Sequence, residues 1–263
     1  MALTRRQRRR FGRWLMYAIS IVAVVAFALV ADWDKIRFSF FQADVLKEML
    51  PEVLLIAARN TLVYTAGAFT FGLVLALILA LMKLSTIKPY RWFATGYIEL
   101  FRGLPALITI ILFGYGLPLA FQFHLPGGTL VTGSVALGVV AAAYMAETIR
   151  AGILAVPKGQ DEAARSLGMS PARAMGSIVL PQAFRIIIPP LTNEFVLLIK
   201  DTSLLFVLGT TPVTKELTKF ARDFMSTTQN ATPLTVVAIV YLIITLPLTY
   251  LVRRLEKRTA KAR

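Results

Sequence analysis

Six stretches of this chain, 14–31, 58–82, 96–120, 131–149, 186–209 and 233–252, are apolar over about the 20 residues a helix needs to cross a hydrocarbon core. A chain with several such runs has few choices of fold. Inside a bilayer every backbone polar group must be satisfied within the segment, so the runs are helices and the fold class is an all-α polytopic membrane protein. Composition agrees. Of the 263 residues 57% are hydrophobic and 16% are charged, well below the roughly 25% that a soluble domain carries.

With 29 Lys and Arg against 14 Asp and Glu, the chain has a formal charge of +15. The basic residues fall in blocks between the apolar runs: Arg5, Arg6, Arg8, Arg9, Arg10 and Arg13; Lys83, Lys88 and Arg91; Arg150, Lys158, Arg165, Arg173 and Arg185; and Arg253, Arg254, Lys257, Arg258, Lys261 and Arg263. These four blocks hold 20 of the 29, and an alternating path through six spans puts all four on one side. The 32–50 segment is nearly balanced, with Asp32, Asp34, Asp44 and Glu48 against Lys35, Arg37 and Lys47. By the positive-inside rule both termini and the 150–185 loop are cytoplasmic. The charge is thus a topology signal, and nucleic acid is not an expected partner. Arg-rich residues before the first span and Ala26-Phe27-Ala28 within it resemble a signal peptide, but the apolar stretch is long for one and reads as an uncleaved anchor.

Residues that carry chemistry are sparse. There is no cysteine and a single histidine, His124, so thiolate and histidine-rich metal sites are excluded and no catalytic set is credible. No G-x-x-x-x-G-K-[ST] phosphate loop occurs. The 150–185 loop is long for a connection between membrane helices. It reads as two short helices. The first runs from about Gln160 to Leu167, with Asp161 and Glu162 near its N-terminus and Gly168 placed to end it. The second has Ser170 as N-cap and Pro171 at its first position, and stops at Pro181. Ala163 and Ala164 leave one face of the first helix bare, which suits docking into a groove; the competing reading is a well-capped connector.

The order of motifs narrows this. Glu162-Ala163-Ala164, Gly168 and Ile178-x-Leu180-Pro181 resemble the "EAA" signature of bacterial ABC-importer permeases. Ala143-Tyr144-Met145-Ala146-Glu147-Thr148-Ile149-Arg150-Ala151-Gly152, Val156-Pro157-Lys158-Gly159-Gln160, Ile188-Pro189-Pro190-Leu191, Lys200-Asp201-Thr202-Ser203-Leu204, Asn60-Thr61-Leu62 and Glu99-Leu100-Phe101-Arg102-Gly103-Leu104-Pro105 extend the likeness over about residues 52–252. Together they resemble the polar-amino-acid branch, which imports histidine, arginine, glutamine and glutamate, with glutamate-uptake permeases nearest in look. Leu104 departs from that branch's R-G-T-P stretch.

The resemblance implies a five-helix permease core over 51–252, preceded by a basic N-terminus, one extra span and an outer loop over 1–50 and followed by a basic tail over 253–263. It implies a coupling helix built on Gln160, Asp161, Glu162, Ala163, Ala164, Leu167 and Gly168. It further implies a bacterial inner-membrane location, a second permease subunit of the same or homologous sequence, two ATPase subunits that bind ATP and Mg, and an extracytoplasmic solute-binding protein. The chain itself is then a transport subunit with no cofactor and no enzymatic activity. The substrate expected from the likeness is glutamate or aspartate.

A substrate pathway is sought among ionisable and polar residues inside spans, which are costly there without a purpose. Glu99 and Arg102, three apart, share a helical face and can form either an ion pair or a substrate contact, with Gly103 and Pro105 loosening the helix after them. Pro189-Pro190 are expected to break the fifth span beside Asn193, Glu194, Lys200, Asp201, Thr202 and Ser203; alternatively Lys200 and Asp201 neutralise each other. Glu147 and Arg150 read as a structural pair. Gly133 and Gly138-x-x-x-Ala142 give the fourth span a small-residue face suited to the bundle interior or to a subunit interface. The rival to the importer is a secondary transporter driven by an ion gradient, for which inverted repeats and short loops are expected. A membrane-embedded enzyme lacks a catalytic set.

Overall fold

The computed structural model describes residues 5–261; Arg263 of the basic tail lies outside them. Every regular element among the described residues is helical. Five helical stretches are long and apolar enough to cross a membrane, and six if the bent pair 88–121 counts as one span. The all-α polytopic reading therefore holds.

Helix α1 (Arg5–Val30) contains the first apolar window, Gly12–Val30, none of which is buried within the chain. A helix apolar on all sides with no protein around it faces lipid. Its end is fastened by Trp33, whose indole N–H donates to the Ala28 carbonyl at 2.7 Å. The chain then turns into α2 (Trp33–Phe40), where Asp32 caps the helix by accepting from the Lys35 amide at 3.0 Å and pairs with its ammonium at 2.9 Å. These contacts hold the Asp32 carboxyl below its ordinary range.

The 32–50 stretch, expected as an outer loop, is largely helical: α2 is followed by α3 (Ala43–Glu52), a wide π turn over Val53–Ala58, and the long α4 (Arg59–Leu84). Tertiary contacts fix the end of α2 and the start of α3. Ser39 accepts from the Ala231 amide at 2.9 Å, Phe38 from the Asn230 side chain at 2.5 Å, and the Gln42 amide donates to Thr232 at 3.0 Å.

The third span is not the continuous helix expected over 96–120. Helix α5 (Lys88–Gly103) ends at Leu104, and α6 (Ala106–Ile111) and α7 (Leu117–Phe121) leave at 105° to it. The residue before a proline is pushed out of the helical region, and Leu104 at φ −85°, ψ 140° obeys that rule ahead of Pro105.

Helix α8 (Gly128–Leu154) is the most buried span and packs along α4. Glycine and alanine make the contact. A Cβ on Gly72 would lie 2.9 Å from the Gly138 carbonyl oxygen, and Ala68, Ala76, Ala80, Ala142 and Ala146 are fully buried around it. The small-residue face of the fourth span thus lies inside the bundle.

Helices α9 (Lys158–Ser166) and α10 (Pro171–Ala174) follow, and a wide turn over Met175–Val179 leads into α11 (Leu180–Asp201). Two proline expectations fail here. Pro181 does not stop the second loop helix, because the wide turn before it accommodates a ring that would otherwise clash with a carbonyl one turn back. The turn over Leu112–Gly116 stands in the same relation to Pro118. Pro189 and Pro190 do not break α11 either: Pro189 is buried, and neighbouring Ile187 packs against Gly152 of α8. After a 3₁₀ turn over Thr202–Val207 come an irregular segment, α12 (Leu217–Thr228), and α13 (Thr232–Lys261).

The core has two parts. One joins α4, α5, α8 and α11 through residues such as Tyr64, Ile98, Leu137, Met145 and Leu205. The other joins α3, α12 and α13 through Met49, Val53, Leu217, Phe220 and Val237. Along α4 and α8, Lys83 and Arg150 lie at one end beside α9, and Tyr64, against the segment that precedes α12, lies at the other.

Candidate functional site

Helix α9 is closed at its C-terminus by backbone geometry alone. Gly168 adopts φ +86°, its amide donates to the Arg165 carbonyl at 3.0 Å, and the Met169 amide reaches back to Ala164 at 3.2 Å. That double return is the Schellman pattern, which favours glycine at the left-handed position. Asp161 in the first turn pairs loosely with Arg165 at 3.9 Å. Ser170 occupies the N-cap position of α10 and Pro171 its first residue, but the serine side chain makes no capping bond.

The alanine pair is split. Ala164 is buried toward α10 and the wide turn, whereas Gln160, Glu162, Ala163 and Leu167 face outward, Leu167 with 85% of its surface exposed. The bare face expected from both alanines is therefore one outward-facing alanine flanked by Glu162 and Leu167. An open groove beside it is lined by Glu162, Arg165, Gly168, Met169 and Pro171.

The segment stands on a stiff base. Gln182 of α11 donates to Gln160 at 3.3 Å and to the Ile178 carbonyl at 3.0 Å. Glu147 of α8 accepts from Lys83 of α4 at 3.0 Å and from Arg150 Nε at 3.0 Å, and Arg150 Nη2 reaches the same carboxylate oxygen as Nε. The expected Glu147–Arg150 pair forms, and Lys83, which spacing did not reveal, completes it. This cluster ties two spans together at the point where α8 leads into α9.

The residues expected to line a pathway are only partly assembled. Glu99 and Arg102 are both exposed on α5 and form no ion pair; the Arg102 guanidinium instead lies 5.5 Å from the Tyr144 ring on α8, a cation–π contact. Helix α11 buries Val196, Leu198 and Ile199 and turns Asn193, Lys200 and Asp201 outward, with Glu194 half-buried. Lys200 and Asp201 make no salt bridge among the described residues. Thr202 is fully buried and donates to the Ile199 carbonyl at 2.6 Å. Ser203 is half-buried.

At the opposite end, sequence reasoning passed over a cluster around the irregular segment 208–216. Asn60 Nδ2 donates to the carbonyls of Val213 at 2.8 Å and Lys215 at 3.0 Å, and the Tyr64 hydroxyl to that of Thr214 at 3.0 Å. Tyr115 and Thr129 serve Val207 and Gly209 at 2.6 and 2.7 Å. Glu216, fully buried, caps α12 by accepting from the Thr218 and Lys219 amides. Its burial pushes the carboxyl up to about 7, against the pull of those two amides. The sequence clue was an acidic residue just before an amphipathic stretch between two spans.

A family model described as the binding-protein-dependent transport system inner membrane component matches residues 71–261. The probable glutamine ABC transporter permease protein GlnM of Bacillus subtilis is 38% identical over 77% of this chain and 91% of its own length. The glutamate/aspartate import permease protein GltK of Escherichia coli O157:H7 is 34% identical over 76% and 90%. A crystal structure of an amino acid ABC transporter with histidines superposes with a TM-score of 0.74 at 38% identity, covering 81% of this chain and 96% of that one. The chain belongs to the family of binding-protein-dependent transport system inner membrane components.

Proposed function

We propose that this member of the inner-membrane transport family is the permease subunit of an ABC importer for polar amino acids, and that α9 is the element through which ATP hydrolysis on other chains moves it. The observation that carries this reading is the Schellman-closed α9, which holds Glu162, Ala163 and Leu167 outward above the Lys83–Glu147–Arg150 cluster. A rigid helix presenting a small residue between a carboxylate and a bare leucine is suited to a groove on a partner. Since the chain has no phosphate loop, the ATP and Mg belong to two partner ATPase subunits. One chain supplies one bundle, so a second permease subunit completes the translocation path, and an extracytoplasmic solute-binding protein delivers substrate. The basic end is then cytoplasmic, with both termini.

Within the polar amino acids we assign glutamate or aspartate as substrate, supported by the likeness to a glutamate/aspartate permease; the likeness to a glutamine permease makes glutamine the next candidate. Arg102 and Lys200 offer donors for a carboxylate, and Glu99, Glu194 and Asp201 acceptors for an ammonium. Co-expression with ATPase and binding-protein subunits, followed by purification and ligand-stimulated ATP hydrolysis across a panel of amino acids, tests both parts. Copurification with stimulation by acidic amino acids is expected. Uptake that follows an ion gradient with no ATPase present would contradict the importer reading.

A further inference from the structure

The segment 208–216 and the start of α12 are held against the bundle almost entirely by side chains. Asn60, Tyr64 and Thr129 donate to its carbonyls, and the Leu217 amide donates to Thr61 at 3.2 Å. Irregular backbone at a bundle end holds its place only while such partners are made. At its end Glu216 is 0% exposed. Its Oε2 accepts from the Thr218 amide at 2.5 Å and its Oε1 from the Lys219 amide at 2.7 Å, while the Tyr241 hydroxyl of α13 lies 3.4 Å from Oε2.

The surroundings lack a counter-charge. From α4 the group facing Glu216 is the neutral phenol of Tyr64, and from α13 that of Tyr241, itself 3.3 Å from Thr218. The cations beside it are engaged elsewhere: Lys219 with Asp223 at 2.7 Å, Lys215 over the Phe220 ring at 4.8 Å, and Arg222 over Phe206 at 4.4 Å. Val45 and Met49 of α3 and Val236, Val237 and Val240 of α13 pack around Leu217 and Phe220. A carboxylate in such a site is costly when ionised, because its burial outweighs the two amides and the more distant Tyr241 hydroxyl that donate to it.

We infer that Glu216 is the proton-sensitive catch of a latch formed by segment 208–216 and α12: protonated, it holds the latch closed against α4 and α13; ionised, it lets α12 lift from that end. The sign follows from linkage. A carboxyl raised to about 7 in the closed form and ordinary in the open one favours closure below its ordinary value, and that preference is lost as pH rises through about 7. Between pH 6 and 8 the open fraction then rises roughly tenfold and levels off above 8. The inference rests on this fold and not on the choice of substrate.

The chain has no cysteine, so a single introduced thiol reports opening cleanly. Ala221 lies fully buried on α12, and Asp34 is exposed on α2, outside the latch. The full chain carrying Ala221→Cys, reconstituted in vesicles, is labelled with a maleimide at pH 6 to 9, and each rate is divided by that of Asp34→Cys to remove thiol ionisation. The expected ratio rises roughly tenfold and levels off above pH 8, is flat in Glu216→Gln, and keeps a pH-dependent rise in Glu216→Asp. A flat ratio with Glu216 intact, or an equal rise in Glu216→Gln, would overturn the inference. If Glu216→Gln fails to insert, Tyr241→Phe decides: the levelling point moves if Tyr241 partners the carboxyl, and an unmoved profile overturns the latch. Because the readout is accessibility, its failure leaves the importer reading untouched.

Discussion

Gly72 and Gly138 face each other across the two central helices so closely that a Cβ on the first would lie 2.9 Å from the carbonyl oxygen of the second. A Cβ on Gly138 would in turn lie 2.9 Å from the carbonyl oxygen of Ala68. Backbone cannot move aside as a flexible side chain can, so any larger residue separates α4 from α8. Gly138→Ala is expected to destabilise the chain by about 1–3 kcal/mol, and Gly138→Leu to prevent a folded bundle. Gly96→Ala, with nothing within 4 Å of its Cβ, is the matched control and leaves stability unchanged or slightly higher. Thermal unfolding of the detergent-solubilised variants checks all three.

Lys83 and Glu147 are 64 residues apart and meet at 3.0 Å. Replacing Glu147 by alanine leaves Lys83 and Arg150 facing each other without an anion. The expected loss is about 2–3 kcal/mol, the scale of a charge-assisted hydrogen bond removed from a partly buried site. The exchange Lys83→Glu with Glu147→Lys should recover part of it, because it restores the α4–α8 pair while losing the Arg150 contact. A double-mutant cycle on unfolding measures the recovery.

Gly168 and Leu167 separate folding from docking. Gly168→Ala forces a Cβ into φ +86° and should cost about 1–2 kcal/mol in the α9 turn, read as faster amide exchange in 163–169. Leu167→Glu touches almost nothing in the chain, so its unfolding should match wild type. If α9 docks as proposed, the same variant should retain less ATPase subunit on purification, since the new carboxylate would be buried unpaired at that contact.

Asn60 fastens two carbonyls of the outer segment. Asn60→Ala is expected to cost about 1–3 kcal/mol, because two acceptors lose their donor in a nearly buried setting. Protease sensitivity of segment 208–216 should increase, whereas Thr192→Ala on α11, which removes a bond to the Ile188 carbonyl on its own helix, should leave it unchanged.

What could be read in the sequence was what depends on local pattern. The apolar runs marked the spans, Gly168 marked the end of α9, and the small residues around Gly138 marked a close-packed face. Proline was read less well, because its effect depends on what precedes it. Leu104 before Pro105 produced a sharp corner inside an apolar run, whereas wide turns before Pro118 and Pro181 absorbed the same ring without a break. Spacing left open whether Arg102 pairs with Glu99; in the fold it lies instead against the ring of Tyr144, 42 residues on, which no local pattern reveals. Glu216 was missed because its burial is made by α4 and α13, neither of which is near it in sequence.

We propose that α9 transmits ATPase motion to the spans. It is tested most directly by amino-acid uptake and ATP hydrolysis in the same proteoliposomes, reconstituted with ATPase and binding-protein subunits, comparing wild type with Glu162→Ala. The prediction is substrate-stimulated hydrolysis tied to uptake in the wild type, and uptake lost in the variant although it inserts and unfolds as wild type does. Undiminished uptake in Glu162→Ala would contradict it.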